Sequence, residues 1–589
     1  MESDPGKQVS RRHFLKLSVV LVSATATIPL LNACGTPAPA STPAAASTNA
    51  PPAAPAAAAP TAAPAAPTAA PAATTAAAAP TSAPVATTAA AAPTSAPVAT
   101  AAPGAVVQAP TGTLTFLSAE HLLGTWDPTS HTSLAMLRAE QHVYDYLVDS
   151  DKDKKLLPAL ATEWKNIAPD TIQFKLRPNV KYHDGQTFNA ENIKASLEYS
   201  SQRDRVSAFW FPAQLKVDIV DDLTVNVKTD GPDASLIYTL GMVPIMAADD
   251  VKNPDNFTKK QNGTGKFRFV KFEKDTGYYE ANEEYWGGPP KVKEFIFKFV
   301  QDPATRLAAL QGGQADFIDR VEGEHVPIIE ADGNLYVDKQ LTVETKWLSM
   351  KCQKEPFKDN PKLRQAIAYA IDRETIVNDV LGGFGLVSDS FLSPQSFGHK
   401  PSPANITYNP EKARQLLVEA GYPDGSGLPE LGYVTSVGFY PKTKEYGEFI
   451  VQNLAEVGIP AKLIPMEIGA LYAGIFDPNP ADWHMGDHGW MPPTPEPDIV
   501  VRGQFFSPSP ITQLQNKDVD AALDQERKEL DPEKRTQVMT DVTVPKLYEQ
   551  MPAVPLFVSM LVTGVHKRVK NLEVHSTSKF PLLNVSVDG

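Results

Sequence analysis

The chain has 589 residues, with 54 Lys and Arg against 68 Asp and Glu, a formal charge of −14 and 42% hydrophobic residues. A formal charge of this sign and size argues against nucleic acid as a partner, which would want a basic face. Two cysteines, Cys34 and Cys352, exclude a disulfide-built scaffold.

The chain opens with a basic start (Lys7, Arg11, Arg12, Lys16), an apolar stretch from Leu17 to Leu31 and a small residue, Ala33, before Cys34. An apolar stretch of about fifteen residues falls short of the roughly 20 that span a hydrocarbon core, so it reads as a secretion signal and not a permanent span. Ser10-Arg11-Arg12-His13-Phe14-Leu15-Lys16 resembles a twin-arginine export signal, which implies export of a folded protein. Leu31-Asn32-Ala33-Cys34 resembles a bacterial lipobox, with Asn32 where a small residue is usual. That resemblance implies lipidation at Cys34 and residence on the extracytoplasmic face of the cell membrane, in the periplasm where an outer membrane exists.

Residues 35–110 are almost entirely Ala, Pro, Thr and Ser, and "TTAAAAPTSAPVA" occurs in tandem at 74–86 and 87–99. Without large apolar side chains, such a segment cannot offset the entropy of ordering itself. Its prolines favour extended geometry at ~3.1 Å per residue, so about 75 residues reach ~200 Å. It reads as a tether.

About 480 residues follow, more than one hydrophobic core supports, so at least two lobes are expected. "LTVNVK" (223–228) and "VKEFIFKFV" (292–300) read as strands. "NPKLRQAIAYAIDRETIVNDVL" (360–381) has apolar residues at helical spacing and predicts one helix that stops at Gly382-Gly383. Arg364 and Arg373 in it read as partners in salt bridges within the lobe. "NPEKARQLLVEAGY" predicts a helix capped by Asn409 and closed at Gly421, and "YGEFIVQNLAEVGI" a helix leading to the strand "PAKLIPME". Asp184-Gly185 marks a turn, with His183 a hydrogen-bonded turn residue and Asn189 a helix cap. Cys352 reads as a buried thiol, because no motif brings a histidine to it.

Several stretches, in order, resemble one family: the solute-binding proteins of bacterial ABC importers, in the dipeptide, oligopeptide and nickel branch. They are "LLPALATEW", "IQFKLRPNVKYHDGQTFNAENIKASLEY", "NGTGKFRFVKFEKDTGYYEANEEYWGG", "DPATRLAALQGGQADFID", "EPFKDNPKLRQAIAYAIDRETIV" and "YNPEKARQLLVEAGYPDGSG". The resemblance implies an α/β, two-lobed periplasmic-binding-protein-like fold with mixed sheets. Lobe I would comprise 111–150, 241–340 and 565–589, with a small insert at 151–240, and lobe II would comprise 345–564. Two strands crossing between the lobes would form the hinge. It also implies a monomer that takes a peptide or similar solute, serves ABC permease and ATPase subunits, and needs no cofactor.

The family's peptide binders place an Asp three residues after a tryptophan, for the peptide ammonium. In "DWHMGDHGWMPPTPEPDIVVRGQFF" that tryptophan is Trp490, and the third residue on is Pro493. Glu496 and Asp498 are the nearby carboxylates that stand as substitutes. Trp126, Trp210 and Trp490 fall in segments that line the family's cleft, though each also reads as core, and His488 is a further ligand candidate. His484 and His488 with Asp482 and Asp487 suggest a metal, but strand residues four apart lie ~13 Å from each other, so no metal site is assigned. An oligosaccharide or a nickel chelate held by one histidine is the alternative ligand. An exported hydrolase is the alternative class, disfavoured because G-x-S-x-G and H-E-x-x-H are missing from the sequence.

Overall fold

The computed structural model describes residues 109–588, apart from 123–125, 132, 438, 477–482 and 510. Arg11, Arg12, Cys34, the tether as far as residue 108, and Asp482 lie outside the described residues.

The strands that position the site are β1 (Thr113–Ser118), β2 (Ala161–Ala168), β3 (Thr171–Leu176), β4 (Lys216–Asp221), β5 (Thr224–Lys228), β6 (Phe267–Glu273), β7 (Thr276–Ala281), β8 (Glu294–Phe299), β9 (Phe317–Ile318), β10 (Leu335–Met350), β11 (Gly385–Val387), β12 (Leu431–Ser436), β13 (Ala461–Met466), β14 (Met485–Gly489) and β15 (Ala553–His566). Among the described residues, one mixed sheet runs β13-β12-β14-β10-β15-β9-β1-β8-β7-β6, with β11 on β15. β1 is parallel to β8 and β9, and β12 is parallel to β13 and β14; β10 and β15 pair antiparallel. These two long strands run from one core into the other. Leu335 and Val562 pack in the lobe I region, and Trp347, Leu348 and Val554 in lobe II.

The first core is aromatic. Phe116 stacks on Phe317 at 4.4 Å and meets Phe297 edge-on at 4.9 Å, and Phe580 closes the cluster from the C-terminal segment at 5.1 Å. Close approach explains the "NGTG" turn: a Cβ on Gly263 would stand 1.9 Å from the Val143 carbonyl, and one on Gly265 2.6 Å from that of His142.

The insert has its own antiparallel sheet, β2-β3-β5-β4. Phe174, Val225 and Val227 face a core that Ile193 and Leu197 of α1 (Ala190–Ser200) complete. The α1 start is closed reciprocally, as Asn189 accepts from the Glu191 N–H at 3.1 Å while Asn192 accepts from the Asn189 N–H at 2.9 Å. His183 sits in the neighbouring turn, where its Nε2 bonds the Gly265 carbonyl at 2.9 Å.

In lobe II the predicted long helix is two pieces. α2 (Pro361–Ala370) ends where Ile371 adopts extended backbone at ψ 118°, and Asp372 then recaps the chain by accepting from the Thr375 N–H at 3.1 Å. A short aspartate competes with helix bonding, and that local competition defeats the apolar periodicity. Arg364 and Arg373 also differ from expectation: both bind backbone carbonyls. Arg364 reaches Gln550 at 2.6 Å and Phe357 at 2.5 Å, while Arg373 reaches Pro555 at 2.8 Å and Ser388 at 3.1 Å. A guanidinium has five donors in a fixed fork, which suits several converging carbonyls as well as one carboxylate. α3 (Pro410–Glu419) and α4 (Thr443–Glu456) stand where the sequence places them, with Asn409 accepting from the Lys412 N–H at 2.9 Å.

Candidate functional site

The site is built around β14, which pairs with β10 in the register Lys346↔Gly489 and Trp347↔His488. Directly after β14, Trp490 leaves the sheet and meets the insert: its ring lies 4.9 Å from Phe209 and 5.6 Å from Trp210. Behind it runs α5 (Pro497–Phe505), where Gly503 permits the approach; a Cβ there would stand 2.6 Å from the Trp490 ring. Trp490 therefore bridges lobe II and the insert while staying half-buried. Trp210 is 7% exposed and belongs to the insert's core, with one face turned to Trp490.

His488 lies beside this shelf. Its Nε2 bonds the Gln504 Oε1 at 3.1 Å, and because an amide oxygen only accepts, that nitrogen carries the proton. Burial pushes its pKa down to about 4, so the ring is neutral at physiological pH. His488 and Gln504 line a small lobe II cavity together with Met350, Lys351, Trp483 and Phe505. The cavity has an apolar floor and amide and imidazole groups on its wall, with room for about one water.

Two expected ligand residues are placed elsewhere. Glu496 is 1% exposed and accepts both guanidinium bonds of Arg535, at 2.9 and 2.5 Å, while capping α5 through the Asp498 N–H. A carboxylate so paired has no charge to offer an incoming ammonium. Asp498 is likewise enclosed by Arg502 at 3.1 Å and by Arg527, and those cations hold its carboxyl far below the usual range despite burial. Trp126 packs inside lobe I against Phe269 at 4.9 Å and Phe272 at 5.4 Å, which is the core alternative. The histidine pair is not brought together: His484 Nδ1 accepts from the Gly432 N–H at 2.9 Å, on the β12 side.

Sequence reasoning missed a buried cluster of charge where the lobes meet. Lys346 of β10 is 1% exposed, 3.7 Å from Asp487, and its ammonium lies 3.2 Å from the Tyr440 ring centre. Burial lowers its pKa to about 8. From lobe I, Arg320 grips Glu120 and lays its guanidinium over Phe439 at 4.8 Å and Tyr440 at 5.5 Å. Glu324 and Lys442 add an ion pair between the lobes at 2.9 Å. The available signal was "ETK" at 344–346, charges set inside a strand that is otherwise buried.

Residues 155–539 match the family profile described as bacterial extracellular solute-binding proteins, family 5 Middle. The glutathione-binding protein GsiB of Salmonella typhi is 29% identical over 469 residues, covering 76% of this chain and 89% of that protein. Heme-binding protein A of Haemophilus influenzae is 28% identical over 500 residues, covering 77% and 88%. Among solved structures, the periplasmic binding protein DppA from Helicobacter pylori in complex with the peptide STSA superposes with a TM-score of 0.70 at 24% identity, covering 81% of this chain and 98% of that one.

Proposed function

Because the chain belongs to the bacterial extracellular solute-binding proteins of family 5, we propose that it captures a peptide or peptide-sized solute between its lobes and releases it unchanged to an ABC permease and its ATPase subunits. The observation that carries this reading is Trp490, which reaches from lobe II onto Phe209 and Trp210 of the insert. A solute touching both sides binds the closed arrangement better than the open one, and so shifts the population toward it. Moving that balance from 1:99 to 99:1 takes ~5.5 kcal/mol of differential affinity, within reach of a buried ligand with many contacts. β10 and β15 are the strands about which the lobes would turn.

Capture without chemistry fits the side chains. The Cys352 thiol is buried and its pKa raised by that burial, and His488 and His183 are neutral and engaged in structural hydrogen bonds. The Arg11-Arg12 signal, Cys34 and the tether support export and lipid anchoring. A thermal-shift screen of the purified protein with peptides, glutathione, oligosaccharides and nickel chelates tests the reading. A true ligand at a hundredfold excess over Kd stabilises by ~2.7 kcal/mol. Turnover of the bound compound would overturn it.

A further inference from the structure

One carboxylate in the interlobe cluster stands apart. Glu344 is 3% exposed, and among the described residues no side-chain hydrogen bond or ion pair within 4.0 Å holds its carboxylate, whose charge acts on Arg320 and Lys346 from farther off. The β10–β15 pairing shifts register between Leu341 and Thr345, so this part of β10 leaves the regular ladder. Bulges of this kind re-aim side chains. Glu344 is turned onto the end of β14, where only a glycine fits: a Cβ on Gly489 would stand 2.3 Å from the Glu344 Oε1.

The cluster's charges do not balance. Glu120, Glu344 and Asp487 are three carboxylates, and Arg320 and Lys346 are the two cations that face them; Asp319, which also acts on Arg320, is balanced by Arg138 at 2.7 Å. Arg320 is engaged with Glu120, and Lys346 leans on Asp487 and the Tyr440 ring. The count leaves one negative charge in excess, and Glu344 is the carboxylate of the three with no ion pair within 4.0 Å. A buried unpaired carboxylate is costly unless something completes it. Tyr440 and Tyr472, whose hydroxyls are 3.2 Å apart, flank the cluster, and Tyr472 is 37% exposed, which marks a way in from solvent. The Tyr440 ring already carries Lys346, so Tyr472 is the ring beside the carboxylate that is open to an organic cation.

We propose that Glu344 is the anchor for a primary ammonium group of the solute, which supplies the missing positive charge between the lobes. This rests on the capture function proposed above. Asp487 is the weaker candidate because it is fully enclosed, with the Tyr446 hydroxyl and Lys346 both at its Oδ2, although its Oδ1 has no hydrogen-bond partner.

The test is calorimetric titration of the full chain with Ala-Ala-Ala, Ala-Lys-Ala, glutathione and the Nα-acetyl form of each, on wild type, Glu344→Gln, Gly489→Ala and Trp490→Ala. The expected result is binding of at least one free amine, with a loss of roughly 10- to 100-fold on Nα-acetylation or on Glu344→Gln, the range for a hydrogen bond to a charged group. Glu344→Gln should no longer distinguish free from acetylated ligand, and Gly489→Ala, which displaces the carboxylate without removing it, should weaken the same ligands. Retained binding of acetylated Ala-Lys-Ala alone would place a side-chain ammonium, rather than the α-ammonium, at Glu344. The unliganded melting temperature gives a second readout: Glu344→Gln should raise it, because an uncompensated charge is removed. Wild-type affinity for free amines in Glu344→Gln, with Trp490→Ala abolishing binding, would overturn the anchor and leave capture standing, as would a fall in unliganded melting temperature with affinity unchanged. No binding of any compound to wild type would overturn the peptide-sized capture reading and the anchor with it.

Discussion

Trp490→Ala is the substitution whose consequence follows most directly from the geometry. The ring meets Phe209 at 4.9 Å and Trp210 at 5.6 Å, at tilts of 38° and 39°. Each such aromatic pair is worth about 0.5–1.5 kcal/mol beyond the area it buries, so the two together favour the arrangement in which Trp490 touches the insert, taken as the closed one, by about 1–3 kcal/mol. Losing them lowers the closed population, and the apparent affinity with it, by about 5- to 150-fold before any direct ligand contact is counted. The unliganded melt should move little, by about 2–4 °C per kcal/mol at most, since β14 and α5 keep their own packing. Titration of a solute that binds wild type is the assay, with Trp126→Ala as a contrast: that ring packs on Phe269 and Phe272 inside lobe I, and its loss should cost about 3–5 kcal/mol of stability. Wild-type affinity in Trp490→Ala would refute the bridging argument.

Two further outcomes follow from buried charge. Arg535→Ala leaves Glu496 and Glu526 without their shared cation, and denaturant unfolding should register a loss of about 3–5 kcal/mol. An unchanged midpoint would mean that the carboxylates find other partners. The second concerns acid. His488 has its pKa lowered to about 4 by burial, against an ordinary 6.5, so the unfolded chain takes the proton first. Stability present above pH 6.5 is then lost as pH falls toward 4, on the order of 3 kcal/mol for this one group. His183 is shifted down to about 4 in the same way, so His488→Gln should remove about half of their joint slope between pH 6.5 and 4. An unaltered pH profile of the melting temperature would contradict the neutral assignment.

What the sequence reveals and what it hides divide along the range of the interactions. Asn189, Asn409 and Gly421 signal helix ends because a cap is a contact within three residues. The strands "LTVNVK" and "PAKLIPME" are legible by the same local pattern. Ile371 and Asp372 break a helix that periodicity alone continues, since one capping side chain outweighs the pattern of its neighbours. Glu496 sits near Trp490 in the chain and reads as a ligand group, but Arg535, 39 residues on, consumes its charge. The interlobe cluster is harder still, because Glu120, Arg320, Glu344, Tyr440 and Asp487 come from five separate segments. Only Glu344 and Lys346, polar residues inside a buried strand, leave a local trace of it.

The claim beneath all of this is that the two lobes move and that a solute draws them together. Spin labels at Lys271→Cys on lobe I and Lys444→Cys on lobe II are both on exposed positions, and pulsed dipolar spectroscopy reads the distance between them. With a compound that binds in the calorimeter, the distance distribution should collapse from a broad or longer population to one short, narrow one. A distribution that stays the same at saturation would contradict closure around a solute.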